Sequence, residues 1–221
     1  EPTKEASIET ECLYGETVEI VDIYNDWIYC KLSTDNYLGW VKKDSLGYLE
    51  KATHRVDVIR TFIFEKNNEK SKCIHYLPMG SQLAVINLNK NWATISLSSN
   101  NKQKFGYVPR DHIININDRI KDWVAKAEEL KSTPYKWGGR DTLGIDCSAL
   151  LQLSYQNYGC NIPRNTCDHV NINKEEIFDL DKLDRGFAVF WKGHVGIMID
   201  KFNCIHANAY HMKTVVEPLS I

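Results

Sequence analysis

The chain has 221 residues, of which 43% are hydrophobic, enough to form one large domain or two to three small ones with buried cores. Its 27 Lys and Arg residues nearly balance 29 Asp and Glu residues, and the net charge of −2 argues against a strongly basic nucleic-acid-binding protein. Its hydrophobic runs are far shorter than the roughly 18 residues that a membrane-spanning helix needs, so we expect no membrane association.

Seven cysteines are spread along the chain without a Cys-x-x-Cys pair. An odd number at wide spacing fits neither a secreted disulfide scaffold nor a structural zinc site. We therefore expect most of them to be small buried residues in a reducing compartment. Together with the lack of a visible signal peptide, this pattern favours a cytoplasmic location.

An internal repeat occupies the first half of the chain. Gly15 precedes Trp27 by twelve positions, and Gly80 precedes Trp92 by the same interval. Each copy ends in a Gly–aromatic–Val–x–x–Asp–x–aliphatic segment, at residues 39–46 and 106–113. Hydrophobic residues alternate in strand fashion between these landmarks, which predicts two small β-barrels.

The repeat resembles bacterial SH3-like domains. On this resemblance we assign residues 1–50 to a first SH3-like domain and residues 51–115 to a second. Such modules often bind peptides or cell-wall polymers, so taken alone this half of the chain suggests a binding function.

A helix is predicted after the repeat. Asn117 or Asp118 is expected to cap it, apolar residues follow at helical spacing, and Pro134 should end it. The pattern then continues as loop, helix and strands. Residues 116–221 are therefore predicted to form an α+β domain of ordinary size.

The segment from Tyr135 to Leu150 carries the strongest chemical signal. Glycines and small polar residues lead into an apolar-periodic helix that Gly159 should end. Cys147 falls at the start of this helix, where the partial positive charge lowers a thiol pKa and backbone N–H groups can stabilise an oxyanion. A cysteine is usually an inert packed residue, and the other six keep that interpretation.

Two histidines can supply the base that a cysteine nucleophile needs. His194 and His206 lie in two predicted strands joined by a turn at residues 200–203, and the small Gly196 shares the face of His194. Adjacent strands would place the imidazoles side by side, as in a Cys–His–His relay of nucleophile, base and orienting partner. The remaining five histidines are expected to be structural or surface residues.

These motifs together resemble the NlpC family of papain-like cell-wall cysteine peptidases. They are Tyr-x-Trp-Gly-Gly, Asp-Cys-Ser, Pro-Arg, His-Val-Gly-Ile and Ile-His-Ala, in this order between residues 135 and 207. With SH3-like domains in front, the whole chain resembles bacterial γ-D-glutamyl-L-diamino-acid endopeptidases. The resemblance implies a papain-like catalytic domain in which Cys147 is the nucleophile, His194 the base and His206 the third member.

The resemblance also implies a substrate, the murein peptide L-Ala-γ-D-Glu-diaminopimelate or its Lys counterpart, cleaved after D-Glu during cell-wall peptide recycling or turnover. A free N-terminal L-Ala would be required. Asp146 and Ser148 would help bind its amine, and Tyr135 and Tyr37 would line the site. Asp146 could instead only cap the helix, and Tyr37 could only pack within its own barrel.

Two residues depart from the family pattern. Ala149 and Phe187 stand where the family usually has Gly and Asp, and neither change removes a member of the relay. We expect an active hydrolase that needs no metal, organic cofactor or obligate protein partner. The alternatives are a catalytically inactive cell-wall or peptide-binding protein and an acyltransferase on the same fold, because an acyl-enzyme can react with nucleophiles other than water.

Overall fold

A computed structural model of the protein describes residues 2–3, 5–48, 50–97, 104–170 and 179–219. The chain forms two compact units, Glu1–Ala6 with Cys12–Asp118 and Ser7–Glu11 with Arg119–Ile221. Within the described residues, the helices are all too short or too polar to cross a membrane.

The first unit is built from short antiparallel strands. These are β1 (Val18–Tyr24), β2 (Trp27–Leu32), β3 (Leu38–Lys42), β4 (His54–Val56), β5 (Arg60–Phe64), β6 (Cys73–Pro78), β7 (Gln82–Leu83), β8 (Val85–Leu88), β9 (Trp92–Ser96), β10 (Phe105–Pro109) and β11 (Ile113–Asn115). Their described residues form sheets with the orders β1-β2-β3, β6-β5-β10-β9-β8 and β11-β4-β7.

Alternating burial explains why these segments form strands. In β2, Ile28, Cys30 and Leu32 are buried while the residues between them are partly exposed, so one face packs inward. The repeat glycines, Gly15 and Gly80, have φ angles of +80° and +85°, a conformation that glycine adopts without steric cost. The all-β architecture expected for this half of the chain is confirmed, and its division into two SH3-like domains stays a prediction.

The second unit is mixed α/β, as the sequence predicts. Its elements are α1 (Trp123–Glu129), β12 (Arg140–Asp141), β13 (Gly144–Ile145), α2 (Cys147–Tyr158), α3 (Thr166–His169), β14 (Ala188–Trp191), β15 (His194–Met198), β16 (Asn203–Asn208) and β17 (Lys213–Pro218). The last four strands form an antiparallel sheet in chain order. Helix α2 packs on β15 and β16 and against α1, which brings its first residue close to the sheet.

The start of α1 differs from the prediction. The helix begins at Trp123, and its cap is Asp122, whose side chain accepts a hydrogen bond from the backbone N–H of Ala125 at 3.3 Å. Asn117 and Asp118 are therefore not its caps. The carbonyl groups of residues 115, 116 and 118 instead accept hydrogen bonds from the buried guanidinium of Arg55, which holds this segment to the first unit.

Burial of the cysteines also differs from the expectation. All seven lie in the described part of the chain and outside disulfides, but only Cys30, Cys147 and Cys204 are buried. Cys12, Cys73 and Cys167 are exposed. They lie in a loop, at the start of an edge strand and in a four-residue helix, which are elements that offer little interior to a side chain.

Candidate active site

Cys147 is the first residue of α2, as the sequence predicts. Asp146 is the N-cap, and its Oδ1 accepts a hydrogen bond from the backbone N–H of Ala149 at 2.9 Å. Gly159 ends the helix in the left-handed conformation, with φ of +87°. Cys147 is buried, with 9% exposure, and its Sγ lies 3.8 Å from the hydroxyl oxygen of Thr166.

The pKa of the Cys147 thiol is raised, where the sequence predicts that it is lowered. Burial is the main cause, and the negative charge of Asp146 adds to it. Hydrogen bonds from Thr166 and from the backbone N–H groups of Val195 and Ser148 oppose the shift. Because the thiol is neutral in this environment, formation of a thiolate requires a base that removes its proton.

His194 and His206 lie together on one face of the sheet. β15 and β16 pair Ile197 with Ile205 and Met198 with Cys204. His194 lies four residues from Met198 and His206 lies two residues from Cys204, so both share the face of that pair. The Nε2 atom of His194 is 2.8 Å from Nδ1 of His206. The structure brings the two predicted imidazoles into direct contact, and His194 immediately precedes the N–H of Val195 that reaches the thiol.

The environment of His194 keeps its imidazole neutral. Burial lowers its pKa, and the neighbouring His206 lowers it further. A neutral imidazole can accept a proton, so the shift suits a base that works near neutral pH.

Glu217 extends this pair and was missed in the sequence analysis. Its Oε1 lies 2.7 Å from Nε2 of His206, and its Oε2 lies 2.9 Å from Nε2 of His211. These two histidines are the main causes of the lowered pKa of Glu217. No predicted strand contained Glu217, which lies in β17, and the register of that strand depends on a loop whose geometry the sequence does not reveal.

Trp191 was also missed. It pairs with His194 across β14 and β15, and its ring centroid lies 5.5 Å from that of His194 and 6.2 Å from that of His206. Gly196, which shares the face of His194, leaves space beside the imidazole. The indole fills that space, since a Cβ at Gly196 would lie 3.3 Å from the ring of Trp191.

Asp146 and Ser148 form a buried cluster with Arg164. Both carboxylate oxygens of Asp146 accept from Arg164, at 3.0 and 2.6 Å, and the Ser148 hydroxyl accepts from the same guanidinium at 2.6 Å. Asp146 also accepts from Ser148 and from the backbone N–H groups of Gly138 and Ala149. These five hydrogen bonds exceed the about four lone-pair sites of a carboxylate. A substrate amine would therefore have to share Asp146 with Arg164.

The two tyrosines lie in different units. Burial raises the pKa of Tyr135, and the nearby Cys147 and Asp146 side chains add to the shift, which places its ring near both groups. Its backbone N–H donates to the carbonyl of Met212. Tyr37 precedes β3 in the first unit, and its proposed place in the substrate site stays a prediction.

A short N-terminal segment, residues 7–11, belongs to this second unit and was not anticipated. Glu11 pairs with Lys136 and accepts from the backbone N–H of Arg140 at 2.8 Å. The Thr10 hydroxyl accepts from Nε of Arg164 at 2.9 Å. The segment thus contacts the guanidinium that holds Asp146, one residue from the candidate nucleophile.

Comparisons with known proteins match these two parts of the chain separately. Residues 132–220 match the NlpC/P60 family, and residues 1–46 match the bacterial dipeptidyl-peptidase SH3 domain. Dipeptidyl-peptidase 6 of Lysinibacillus sphaericus is 26% identical over 94% of this chain and 83% of its own length. Gamma-D-glutamyl-L-lysine dipeptidyl-peptidase of Bacillus subtilis is 22% identical over 90% of this chain and 72% of its own.

A solved structure shows the same fold. An NlpC/P60 family protein from Bacillus cereus superposes with a TM-score of 0.76 at 21% identity, covering 96% of this chain and 77% of that one.

Proposed function

Since residues 132–220 belong to the NlpC/P60 family, we propose that this protein is a cysteine peptidase that hydrolyses the bond between γ-D-Glu and the diamino acid of murein peptides. The observation that carries the proposal is the 2.8 Å contact of His194 with His206, together with a cysteine at a helix N-terminus whose thiol contacts the backbone N–H of Val195, the residue after His194. The names of two relatives, a dipeptidyl-peptidase 6 and a γ-D-glutamyl-L-lysine dipeptidyl-peptidase, support the substrate class.

The proposed reaction proceeds through an acyl-enzyme. His194 accepts the thiol proton of Cys147 as the sulfur attacks the γ-carbonyl carbon of D-Glu, and backbone N–H groups in the first turn of α2 stabilise the oxyanion. The imidazolium then donates its proton to the nitrogen of the diamino acid, the C–N bond breaks and the amine leaves. Water, deprotonated by His194, hydrolyses the thioester and restores the thiol.

The finer substrate features rest on the resemblance. We propose L-Ala-γ-D-Glu-diaminopimelate or its Lys counterpart as the substrate, with a free N-terminal L-Ala. Asp146 and Ser148 flank Cys147 in the chain and Tyr135 lies near it. These three residues are proposed to bind the L-Ala end, with Tyr37 as a further lining residue. Seven cysteines without a disulfide among the described residues support a reducing compartment, so we propose that the enzyme acts in the cytoplasm on peptides released from the wall.

Mass spectrometry of L-Ala-γ-D-Glu-diaminopimelate after incubation with the protein tests the proposal. We expect L-Ala-D-Glu and free diaminopimelate from the wild type and intact peptide with Cys147→Ala. A second incubation contains an added acceptor amine, since transfer of the dipeptide to that amine would identify an acyltransferase. An intact peptide with the wild-type protein, or cleavage that persists in Cys147→Ala, would refute the proposed peptidase.

A further inference from the structure

Three side chains form a continuous hydrogen-bonded line across β15, β16 and β17. His194 contacts His206 at 2.8 Å, and His206 contacts Glu217 at 2.7 Å. The strand register explains the line, because Glu217 pairs with Cys204 and His206 pairs with Val215, which puts the carboxylate diagonally across from the imidazole on the same face. Glu217 thus contacts His206 on the side away from His194, and it is the third member of the line.

The chemistry of these groups assigns the protons along the line. An ionised carboxylate only accepts hydrogen bonds, so the Nε2 atom of His206 must carry the proton that points to Glu217. A neutral His206 then has a lone pair on Nδ1 and accepts from Nε2–H of His194. His194 is left with its own lone pair on Nδ1, which is the form that can take a proton from Cys147.

We propose that Glu217 is a positioning residue for the proposed reaction, which sets the tautomers of His206 and His194 so that His194 presents a basic Nδ1 to Cys147. The role of Glu217 in catalysis rests on the proposed function, whereas the hydrogen-bonded line itself does not depend on it. When the Cys147 proton moves to His194, the resulting imidazolium is separated from the Glu217 carboxylate by one imidazole. Glu217 therefore stabilises the charged state of the pair as well as its orientation.

Other groups around Glu217 hold it in this role. His211, in the loop before β17, donates from Nε2 to Oε2 at 2.9 Å. The side-chain nitrogen of Asn208 lies 3.1 Å from Nε2 of His206 and donates to Oε1 of Glu217 at 3.4 Å, so it is compatible with a proton on that Nε2. The Cys204 thiol on the paired strand position has its pKa raised to about 11 by burial and by Glu217, so it stays neutral.

The surroundings of Cys147 and His194, at the opposite end of the line from Glu217, oppose thiolate formation. Asp146 raises the pKa of Cys147, while burial and His206 lower the pKa of His194. Nearby, Tyr135 is neutral because its own pKa is raised. Among these groups, Glu217 favours the ion pair of thiolate and imidazolium, because its negative charge attracts the imidazolium.

The pH dependence of Cys147 alkylation tests the inference without any substrate. Iodoacetamide labelling is followed by mass spectrometry of the peptide that contains Cys147, for the wild type, Glu217→Gln, Glu217→Asp and Glu128→Gln. Glu128 is a matched control, because it is a glutamate of the same unit, lies in α1 and pairs with Arg185 away from the histidines. Thermal unfolding verifies that each variant is folded.

We expect Glu217→Gln to shift the alkylation midpoint to higher pH and to slow labelling at least tenfold near neutral pH. With the murein peptide, kcat should fall at least tenfold while KM changes much less, since Glu217 does not touch the substrate. Glu217→Asp keeps the charge and should retain the wild-type midpoint with part of the rate. Glu128→Gln should behave as the wild type.

A wild-type alkylation profile in Glu217→Gln would overturn the inference. So would an equal shift in His211→Ala, because that result would show that Glu217 acts by holding the loop before β17 rather than the imidazole of His206. If Glu217→Gln fails to fold, the Glu217→Asp and His211→Ala profiles still decide the matter. Absence of hydrolysis by the wild type would refute the proposed function alone, since alkylation needs no peptide.

Discussion

Arg164 holds Asp146 through a two-point contact in which both side chains are almost completely buried, with exposures of 2% and 5%. The two distances, 3.0 and 2.6 Å, are those of a guanidinium that faces a carboxylate fork to fork. Because Asp146 also caps α2, this pair sets the position of Cys147.

Arg164→Met should therefore destabilise the protein strongly. Removal of one partner leaves a buried charge without compensation, which costs about 3–5 kcal/mol. We expect the lower end of that range, because Asp146 keeps its hydrogen bonds from Ser148, Gly138 and Ala149. The measurement is the free energy of unfolding in urea for Arg164→Met and for a control, Lys182→Ala. The control breaks an exposed ion pair with Asp179. A similar, small change in both variants would show that the buried pair is not needed for stability.

The proposed requirement for a free amine predicts a large effect of substrate acetylation. An ammonium that binds in the partly buried site beside Asp146 forms a charge-assisted hydrogen bond worth roughly 1.5–3 kcal/mol. Since about 1.4 kcal/mol corresponds to a tenfold rate change, N-acetylated L-Ala-γ-D-Glu-diaminopimelate should be cleaved at least tenfold more slowly. The measurement is kcat/KM for the two peptides. Equal values would mean that Asp146 serves only α2 and Arg164.

Substitutions of His206 should show whether its hydrogen bond orients the imidazole of His194 or whether its side chain only fills space. In His206→Asn an amide can still accept from His194 and donate toward Glu217, so the imidazole of His194 keeps a partner. In His206→Ala both contacts disappear. We expect kcat to fall in both variants, with the larger loss in His206→Ala, and His194→Ala to lose nearly all activity in the same assay. Equal kcat values in the two His206 variants would contradict an orienting role.

Two glycines with the same backbone angle allow a matched test of the N-terminal segment. Gly138 and Gly193 both have φ of +73°, but a Cβ at Gly138 would lie 2.5 Å from the carbonyl oxygen of Ile8, whereas a Cβ at Gly193 has no neighbour within 4 Å. Both alanine variants bear the cost of a left-handed conformation, about 1–2 kcal/mol. Gly138→Ala should be further destabilised in urea and should expose residues 7–11 to limited proteolysis. Identical behaviour of the two variants would show that close packing of this segment contributes nothing.

Features that depend on residues near one another in the chain could be predicted from the sequence. The helix that begins at Cys147 and ends at Gly159 follows from a capping residue, apolar spacing and a glycine within a single stretch. The shared face of His194 and Gly196 follows from strand alternation alone. The all-β character of residues 18–115 likewise followed from alternating hydrophobic residues between repeated glycines and tryptophans.

Features that depend on the approach of distant segments were decided only by the tertiary structure. Glu217 reaches His206 through the register of a hairpin, and a shift of one residue would turn its side chain to the other face of the sheet. Arg164 reaches Asp146 across 18 positions, and Thr10 reaches Arg164 across 154. The nucleophile and the histidines could thus be proposed from local sequence patterns. The groups that hold them in place depend on strand register and on contacts between distant segments, which local composition does not encode.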